Sequence, residues 1–278
     1  MHRCGASPLI MENIITSVQN ARVKHVVALQ QKSALRREEG FFVVEGQREI
    51  EHCIACGYEI EELFVLDSLN YTGKQPATIV TTQVYEKMAY RESTEGIIAL
   101  VKAKSHELST LHSQLSTKNH PLIIVLESVE KPGNLGAILR TAEAAQVDAV
   151  IVCDPLTDLY NPNVIRASIG GVFCVPTAVC SSKECIHFLK EHHIRILTAQ
   201  LQDAYDYYDY DMRHATAIVM GTESTGLSQQ WREVADVHIR IPMLGRLDSL
   251  NVSVSAAILM YEAVRQRNKV YQHPDARM

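Results

Sequence analysis

The strongest constraint on the fold is an alternation of short apolar runs with helical patterns over residues 121–278. The apolar runs are LIIVLE, DAVIVC, RILTA, AIVMG and VHIRIP, and stretches such as LGAILRTAEAA separate them. Strands of a parallel sheet are buried on both faces, so they read as continuous apolar runs, and helices connect them. The alternation therefore predicts an α/β domain with a mostly parallel, doubly covered sheet.

Residues 1–105 predict a second, smaller α/β domain, and the length of 278 residues already favours two domains over one. Periodicity predicts helices at NARVKHVVALQQ, QREIEHCIAC and Thr82–Tyr90. It predicts strands at FFVVEG, ELFVLD and Gly96–Val101. Residues 106–120 are rich in Ser, Thr and His, with only a stripe of leucines, and we interpret them as the linker between the domains.

The charge and hydropathy of the chain exclude two broad classes of protein. A net charge of -5 does not fit a protein that coats nucleic acid without specificity, because that function needs a large excess of Lys and Arg. No apolar run reaches the roughly 18 residues that span a bilayer, and no signal peptide is evident. We therefore expect a cytoplasmic protein whose nucleic-acid contacts, if any, come from a local basic patch.

The seven cysteines predict free thiols. Their odd number in a long chain is typical of a reducing compartment, so we assign no disulfide. Cys53 and Cys56 form a C-x-x-C preceded by His52, but no second pair of ligands follows nearby, as a structural zinc site would require. We interpret this pair as buried thiols and expect no metal.

Three loops in residues 121–278 carry the residues of a binding site. Ligands of open α/β sheets bind beyond the carboxyl ends of the strands, so the loops should converge. The first loop and its helix, KPGNLGAILRTAEA, have Gly133 and Gly136 for a tight turn and Arg140 on the helix. Taken alone, Arg140 could equally be a solvated surface residue.

The second and third loops limit the kind of ligand that the site can bind. VMGTESTGLS has the glycine spacing of a phosphate loop, but Leu227 and Ser228 replace the required Lys and Ser/Thr, so nucleotide hydrolysis is disfavoured. Its carboxylate, Glu223, suits a neutral or cationic ligand and ribose hydroxyls. IPMLGRLDSLNVSVS offers backbone groups that could bond an adenine, although Ser249 or Asn251 could also serve only as a helix cap.

In this order, the segments N-x-G-A-I-x-R, G-T-E-x-x-G-L and I-P-M-x-G-x-x-D-S-L-N-V-S-V-S resemble the signature motifs of the SpoU (TrmH-like) family of RNA ribose 2′-O-methyltransferases. The likeness covers roughly residues 120–268. The N-terminal domain more loosely resembles the substrate-binding domain that precedes many of these enzymes. A G-x-G-x-G after the first strand, the signature of the other common methyltransferase fold, is absent.

The resemblance implies a fold, a cofactor and partners. It implies a trefoil-knotted α/β domain of the SPOUT superfamily over residues 121–278, S-adenosylmethionine as methyl donor and a homodimer. The substrate would be a ribose 2′-hydroxyl of structured RNA, with ribosomal RNA favoured over transfer RNA.

The resemblance also implies site residues. The active-site positions fall on Asn134, Arg140, Glu223, Ser249 and Asn251. The cofactor would be held mainly by backbone groups of Thr198, Ala199, Gln200, Gly221, Glu223, Gly226, Ile241, Met243, Ser249, Leu250 and Ser253. Arg166 falls where family members place an arginine near the RNA. Further RNA contacts are predicted from an N-terminal segment that contains no acidic residue, at Arg22, Lys24, Lys32, Arg36 and Arg37.

Three other interpretations remain at this point. The chain could be a silent RNA-binding protein that retains the fold, although the intact active-site set argues against it. It could be a dinucleotide or phosphate-transfer enzyme, although G-x-G-x-x-G and the Walker lysine are missing. The basic N-terminal segment could be only a solvated helix face. A separate question concerns the Tyr/Asp-rich segment AYDYYDYDM, which is either a solvated connection or a surface on which RNA bases stack.

Overall fold

The computed structural model describes residues 14–73, 75–90, 95–222 and 224–268, and the chain divides into two units, 1–104 and 105–278. In the first unit the helices are α1 (Ala21–Gln31), α2 (Ser33–Glu39), α3 (Gln47–Ala55) and α4 (Thr82–Met88). The strands are β1 (Phe41–Glu45), β2 (Ile60–Leu66), β3 (Thr78–Val80) and β4 (Ile97–Lys102).

The first unit is a four-stranded sheet in the order β1-β4-β2-β3. Strand β4 is antiparallel to both neighbours, and β2 is parallel to β3. One face is covered by α1 and α4, whose Val23, Leu29 and Tyr85 pack against Phe64 and Ile98 of the sheet. Each predicted helix and strand is present. Helix α2 and strand β3 were not predicted, because they are too short to show a clear period.

The second unit contains seven α-helices, one 3-10 helix (Tyr207–Asp209) and seven strands within its described residues. The helices are α5 (Leu108–Leu115), α6 (Pro132–Ala144), α7 (Pro162–Ser168), α8 (Gly171–Cys174), α9 (Ser182–Glu191), α10 (Gln229–Val234) and α11 (Val252–Arg267). The strands are β5 (Leu122–Glu127), β6 (Ala149–Cys153), β7 (Thr177–Cys180), β8 (Arg195–Ala199), β9 (Tyr205–Asp206), β10 (Thr216–Met220) and β11 (Val237–Arg240).

The second sheet is parallel throughout its described pairs. Its order is β7-β6-β5-β10-β8-β11-β9, and each neighbouring pair runs in the same direction. Strands β5, β6 and β10 are buried at every position, which explains their continuous apolar sequences. The predicted α/β fold with a mostly parallel sheet is confirmed.

The segment expected to be a linker takes part in the second unit. Helix α5 occupies its middle, and Leu111 and Leu115 are buried in the core around Trp231. The backbone N–H of Val179 donates to the carbonyl of His106. The leucine stripe therefore marks a packed helix, and residues 106–120 do not behave as a free connection.

The Tyr/Asp-rich segment lies at the edge of the same sheet. Tyr205 and Asp206 form β9, which pairs with β11, and Tyr205 and Tyr208 remain exposed.

Within the described part of the chain, no helix has the length and apolar character needed to cross a membrane.

Gly136 sets the distance between two helices of the second unit. A Cβ atom placed on it would lie 2.6 Å from the Cβ of Ala167 and 2.8 Å from the carbonyl oxygen of Val164. Both contacts belong to α7, and one is with rigid backbone. Helices α6 and α7 therefore pack closely only because residue 136 has no side chain.

We predict that Gly136→Ala lowers the free energy of unfolding by about 1 to 3 kcal/mol, because the added methyl group forces the two helices apart. Gly133→Ala is the matched control, since its Cβ would meet nothing within 4 Å. At this helical position alanine should leave stability unchanged or raise it by up to about 1 kcal/mol. Urea titrations measure the free energy of unfolding of both variants. Equal values for Gly136→Ala and Gly133→Ala would show that α6 and α7 can move apart without loss of stability.

Candidate active site

Four neighbouring strands deliver the predicted motifs to one edge of the second sheet. In the order β5-β10-β8-β11, the first motif follows β5, the second follows β10 and the third follows β11. Gln200 follows β8, between them. Because all four strands are parallel, their carboxyl ends lie at the same edge, where α/β sheets bind ligands. The structure thus brings together loops that are far apart in sequence.

The first motif presents Asn134 and Arg140 from helix α6. Pro132 starts the helix with a preset backbone angle. Arg140 lies one turn after Gly136 on the same side of the helix, and its Cα would be 3.3 Å from a Cβ on Gly171 of α8. The guanidinium is exposed and forms no hydrogen bond or ion pair with any described residue. Arg140 is therefore available to an anionic group.

The second motif forms a small closed loop after β10. The N–H groups of Thr222 and Gly226 each donate to the other residue's carbonyl, and Gly226 has a φ of +67°. A Cβ on Gly221 would be 2.2 Å from the carbonyl oxygen of Gly226, so only glycine fits there. Glu223, predicted for catalysis and for the cofactor, lies outside the described residues.

The third motif joins the first through a pair of asparagines. Asn251 Nδ2 donates to Asn134 Oδ1 at 3.1 Å, and Asn251 Oδ1 accepts from the N–H of Ser253 at 3.0 Å. Asn251 therefore caps α11 and also contacts the first motif, and its part in the reaction stays a prediction. Ser249 is exposed, and its hydroxyl donates to the adjacent Asp248 of the same motif at 3.4 Å.

The loop before α11 is open to solvent. Leu250 is exposed, whereas Ile241 and Met243 are half-buried. Just before this loop, Arg240 Nε donates to Asp206 Oδ1 at 2.7 Å. This hydrogen bond holds the pKa of Asp206 below its ordinary value, and the ionised pair links β9 to β11 where the loop begins.

The end of β8 offers an acceptor for a ligand. The side chain of Gln200 donates through Nε2 to the carbonyl of Gln202, while its Oε1 is buried without a hydrogen-bond partner among the described residues. A buried carbonyl oxygen without a partner costs free energy unless a donor reaches it. Adenine, ribose and ammonium groups all carry such donors, so this position fits S-adenosylmethionine.

Thr198 and Ala199 are the last two residues of β8 and lie directly before Gln200. The Thr198 side chain is fully buried, and its Oγ1 shares a hydrogen bond of 2.6 Å with His238 Nδ1. Its backbone lies in β8 between β10 and β11. The Thr198 side chain therefore supports the sheet, and the cofactor contacts of the Thr198 and Ala199 backbone stay a prediction.

Glu127 is a positioning residue that the sequence analysis missed. It ends β5 and is buried, and its carboxylate accepts from the N–H and the hydroxyl of Ser228 at 2.8 and 2.6 Å. Ser228 directly follows the second motif. Glu127 therefore fixes the end of that loop. The available signal was an acidic residue closing a wholly apolar strand, LIIVLE.

Some of the side chains predicted to contact RNA are exposed to solvent, whereas others form hydrogen bonds within the protein. Lys24, Lys32, Arg37 and, in the second unit, Arg166 are exposed. Arg22 is half-buried and bonds Glu62 and Thr78.

Arg36 was assigned wrongly as an RNA contact. It is 4% exposed, and its Nη1 donates to the carbonyls of Leu29 and Gln30 at the end of α1. Those carbonyls have no partner within the helix, so Arg36 satisfies them.

The C-x-x-C pair lies in the first unit. Cys53 is buried in α3 and Cys56 follows it, half-buried. In the described ranges, neither belongs to a group of three or more possible metal ligands.

Two family models match the chain. The SpoU rRNA Methylase family matches residues 121–261, a span that contains all three motifs. The MRM3-like substrate binding domain matches residues 20–99.

Individual relatives agree with both matches. The chain is 35% identical to the 23S rRNA (guanosine-2′-O-)-methyltransferase RlmB of Vibrio vulnificus, over 80% of this chain and 91% of the relative. The fold is similar to a crystal structure of an RNA 2′-O ribose methyltransferase, with a TM-score of 0.80 and 37% sequence identity. The match covers 92% of this chain and 99% of that protein. An AdoMet-bound rRNA methyltransferase from Sinorhizobium meliloti is 26% identical with a TM-score of 0.82, over 91% and 97% of the two chains. The chain therefore belongs to the SpoU rRNA methylase family.

Proposed function

We propose that this protein transfers the methyl group of S-adenosylmethionine to a ribose 2′-hydroxyl of structured ribosomal RNA. The observation that carries the proposal is the exposed Arg140 on α6, the helix that follows β5 at the edge where the three family motifs leave the sheet. Its side chain forms no hydrogen bond or ion pair with any described residue. The substrates named for the relatives support it, since these proteins are 2′-O-methyltransferases and one acts on 23S rRNA.

The cofactor would lie against the loops that follow β10, β8 and β11. Gln200 Oε1 would accept a hydrogen bond from it, and the backbone of residues 241–250 and of the closed loop at Gly221 and Gly226 would provide the remaining polar groups. The cofactor supplies an electrophilic methyl group on a sulfonium.

Arg140 would act on the ribose by electrostatics. When the 2′-oxygen bonds to the methyl carbon and the carbon–sulfur bond breaks, the hydroxyl proton must leave. A guanidinium keeps its own proton at accessible pH, so Arg140 does not serve as the base. It stabilises the negative charge that develops on the oxygen and can hold the neighbouring phosphate, while the proton passes to phosphate or solvent. The Asn134–Asn251 pair would orient the ribose.

The family resemblance also supports a trefoil knot and a homodimer as parts of this proposal. After β11 the chain returns across the sheet, so that α11 packs against α6. Apolar side chains near this point are open to solvent, with Leu244 97% and Leu247 77% exposed. A second copy that covers these side chains would remove them from water.

The first unit would hold the RNA. Lys24, Lys32 and Arg37 are exposed along α1 and α2, and the matched family model is a substrate-binding domain. Lysine and arginine neutralise phosphates, which makes such binding dependent on salt.

We predict that Arg140→Ala lowers turnover by at least about 100-fold, because it removes one preorganised charge stabiliser. Arg140→Lys should not restore activity, since an ammonium group lacks the planar fork. S-adenosylmethionine affinity, measured by calorimetry, should not change. Arg195→Ala is the matched control, because Arg195 is equally exposed but starts β8 at the opposite edge of the sheet. Near wild-type turnover of Arg140→Ala on its true RNA would refute the assignment.

We predict that the double charge reversal Lys32→Glu/Arg37→Glu weakens RNA binding and lowers its salt slope by roughly one unit for each lost phosphate contact. Arg36 is left intact because its reversal would disrupt α1. The control Arg48→Glu/Lys87→Glu makes the same change of charge at two other exposed positions of the first unit. RNA affinity is measured against salt concentration for all three proteins. Equal slopes for the two double variants would show that α1 and α2 do not hold the RNA.

A further inference from the structure

Three cysteines that play no part in the proposed reaction meet at one corner of the second sheet. Cys153 ends β6 and Cys180 ends β7, where the parallel register pairs them directly. Cys185 lies in α9. The three sulfur atoms all lie within 4.8 Å of one another. Sequence spacing does not indicate this cluster, because no two of these cysteines form a C-x-x-C.

The surrounding contacts hold the three side chains in place. Helix α9 begins with a capping box in which the Ser181 hydroxyl accepts from the N–H of Glu184, while the Glu184 carboxylate accepts from the N–H of Ser181. Asp154 Oδ2, directly after Cys153, accepts from the hydroxyl of Ser182 at 2.6 Å and from its N–H at 3.0 Å. The first turn of α9 is thus fixed against the end of β6, and Cys185 faces the two strand-terminal thiols.

We propose that Cys153, Cys180 and Cys185 bind one monovalent copper ion. Thiolates select soft metals. With metal–sulfur bonds of about 2.3 Å, a trigonal ion separates its sulfur atoms by about 4 Å, which lies within the observed spacing. Structural zinc takes four ligands, and within the described residues no further His, Cys, Asp or Glu joins this group. A three-coordinate ion therefore fits the donor set.

Burial and the position of Cys185 in α9 agree with this assignment. Cys153 and Cys185 are buried, which shields two of the three sulfur atoms from water, whereas Cys180 is half-buried and gives the ion a route of access. Cys185 lies near the N-terminus of the ten-residue helix α9, whose partial positive charge offsets part of the excess negative charge of a copper thiolate.

The test is titration of the reduced full-length protein with Cu(I) in the absence of oxygen, in competition with a chromogenic Cu(I) chelator. We expect one ion per chain, X-ray absorption that shows three sulfur ligands at about 2.3 Å, and a rise in the thermal unfolding midpoint, because a ligand that binds the folded state more tightly than the unfolded chain stabilises the folded state. Cys180→Ser is the decisive variant, since its position is half-buried and tolerates a hydroxyl. It should bind Cu(I) at least about 100-fold more weakly.

Cys56→Ser is the matched control, because it removes a half-buried cysteine of the first unit, and it should bind Cu(I) as the wild type does. Circular dichroism at the start of each titration confirms that the variants are folded. The proposal is overturned if Cys180→Ser retains wild-type affinity, if Cys56→Ser loses it, or if the wild type shows no stoichiometric binding. Preference for Zn²⁺ over Cu(I) at these three cysteines would likewise overturn the choice of ion.

Discussion

The common direction of β5, β10, β8 and β11 is the constraint on which the rest of the structure depends. Each strand is reached by a crossover connection, so the carboxyl ends of all four lie at one edge. The three motifs and Gln200 each follow one of these ends. If any one strand ran antiparallel, its loop would lie at the opposite edge, and the site would lose one of its parts.

Buried polar contacts then set the positions of the loops within the site. The carboxylate of Glu127 would be costly to bury alone, and it is stabilised by two hydrogen bonds from Ser228, beside the second motif. The hydroxyl of Ser182 lies 3.4 Å from the same carboxylate and also accepts from the indole N–H of Trp231. This network connects the loop after β10 to the start of α9. It therefore relates the proposed methyl-transfer site to the corner that holds the three cysteines.

Close packing also helps to position Arg140, the arginine that we propose acts on the ribose. Because Gly136 allows α6 to approach α7, Arg140 on the next turn comes next to the backbone of Gly171. Gly136 of the first motif thus helps to position Arg140, four residues later in the chain. The asparagine pair connects α6 to α11, since the side chain of Asn251 caps α11 and also donates a hydrogen bond to Asn134 on α6.

The sequence alone determined the α/β class, the family motifs and most strands of both sheets, because burial on both faces of a strand leaves a direct trace in the order of apolar residues. The exceptions are the short β3 and the two edge strands of the second sheet, β7 and β9. The sequence could not show that Arg36 turns inward to the end of α1, since an exposed and a buried arginine look alike in sequence. Nor could it show that the Leu111 and Leu115 stripe packs into the core, that Thr198 faces His238, or that Cys153, Cys180 and Cys185 converge. Those outcomes depend on contacts between elements far apart in the chain, and only the strand order and helix packing of the tertiary structure decide them.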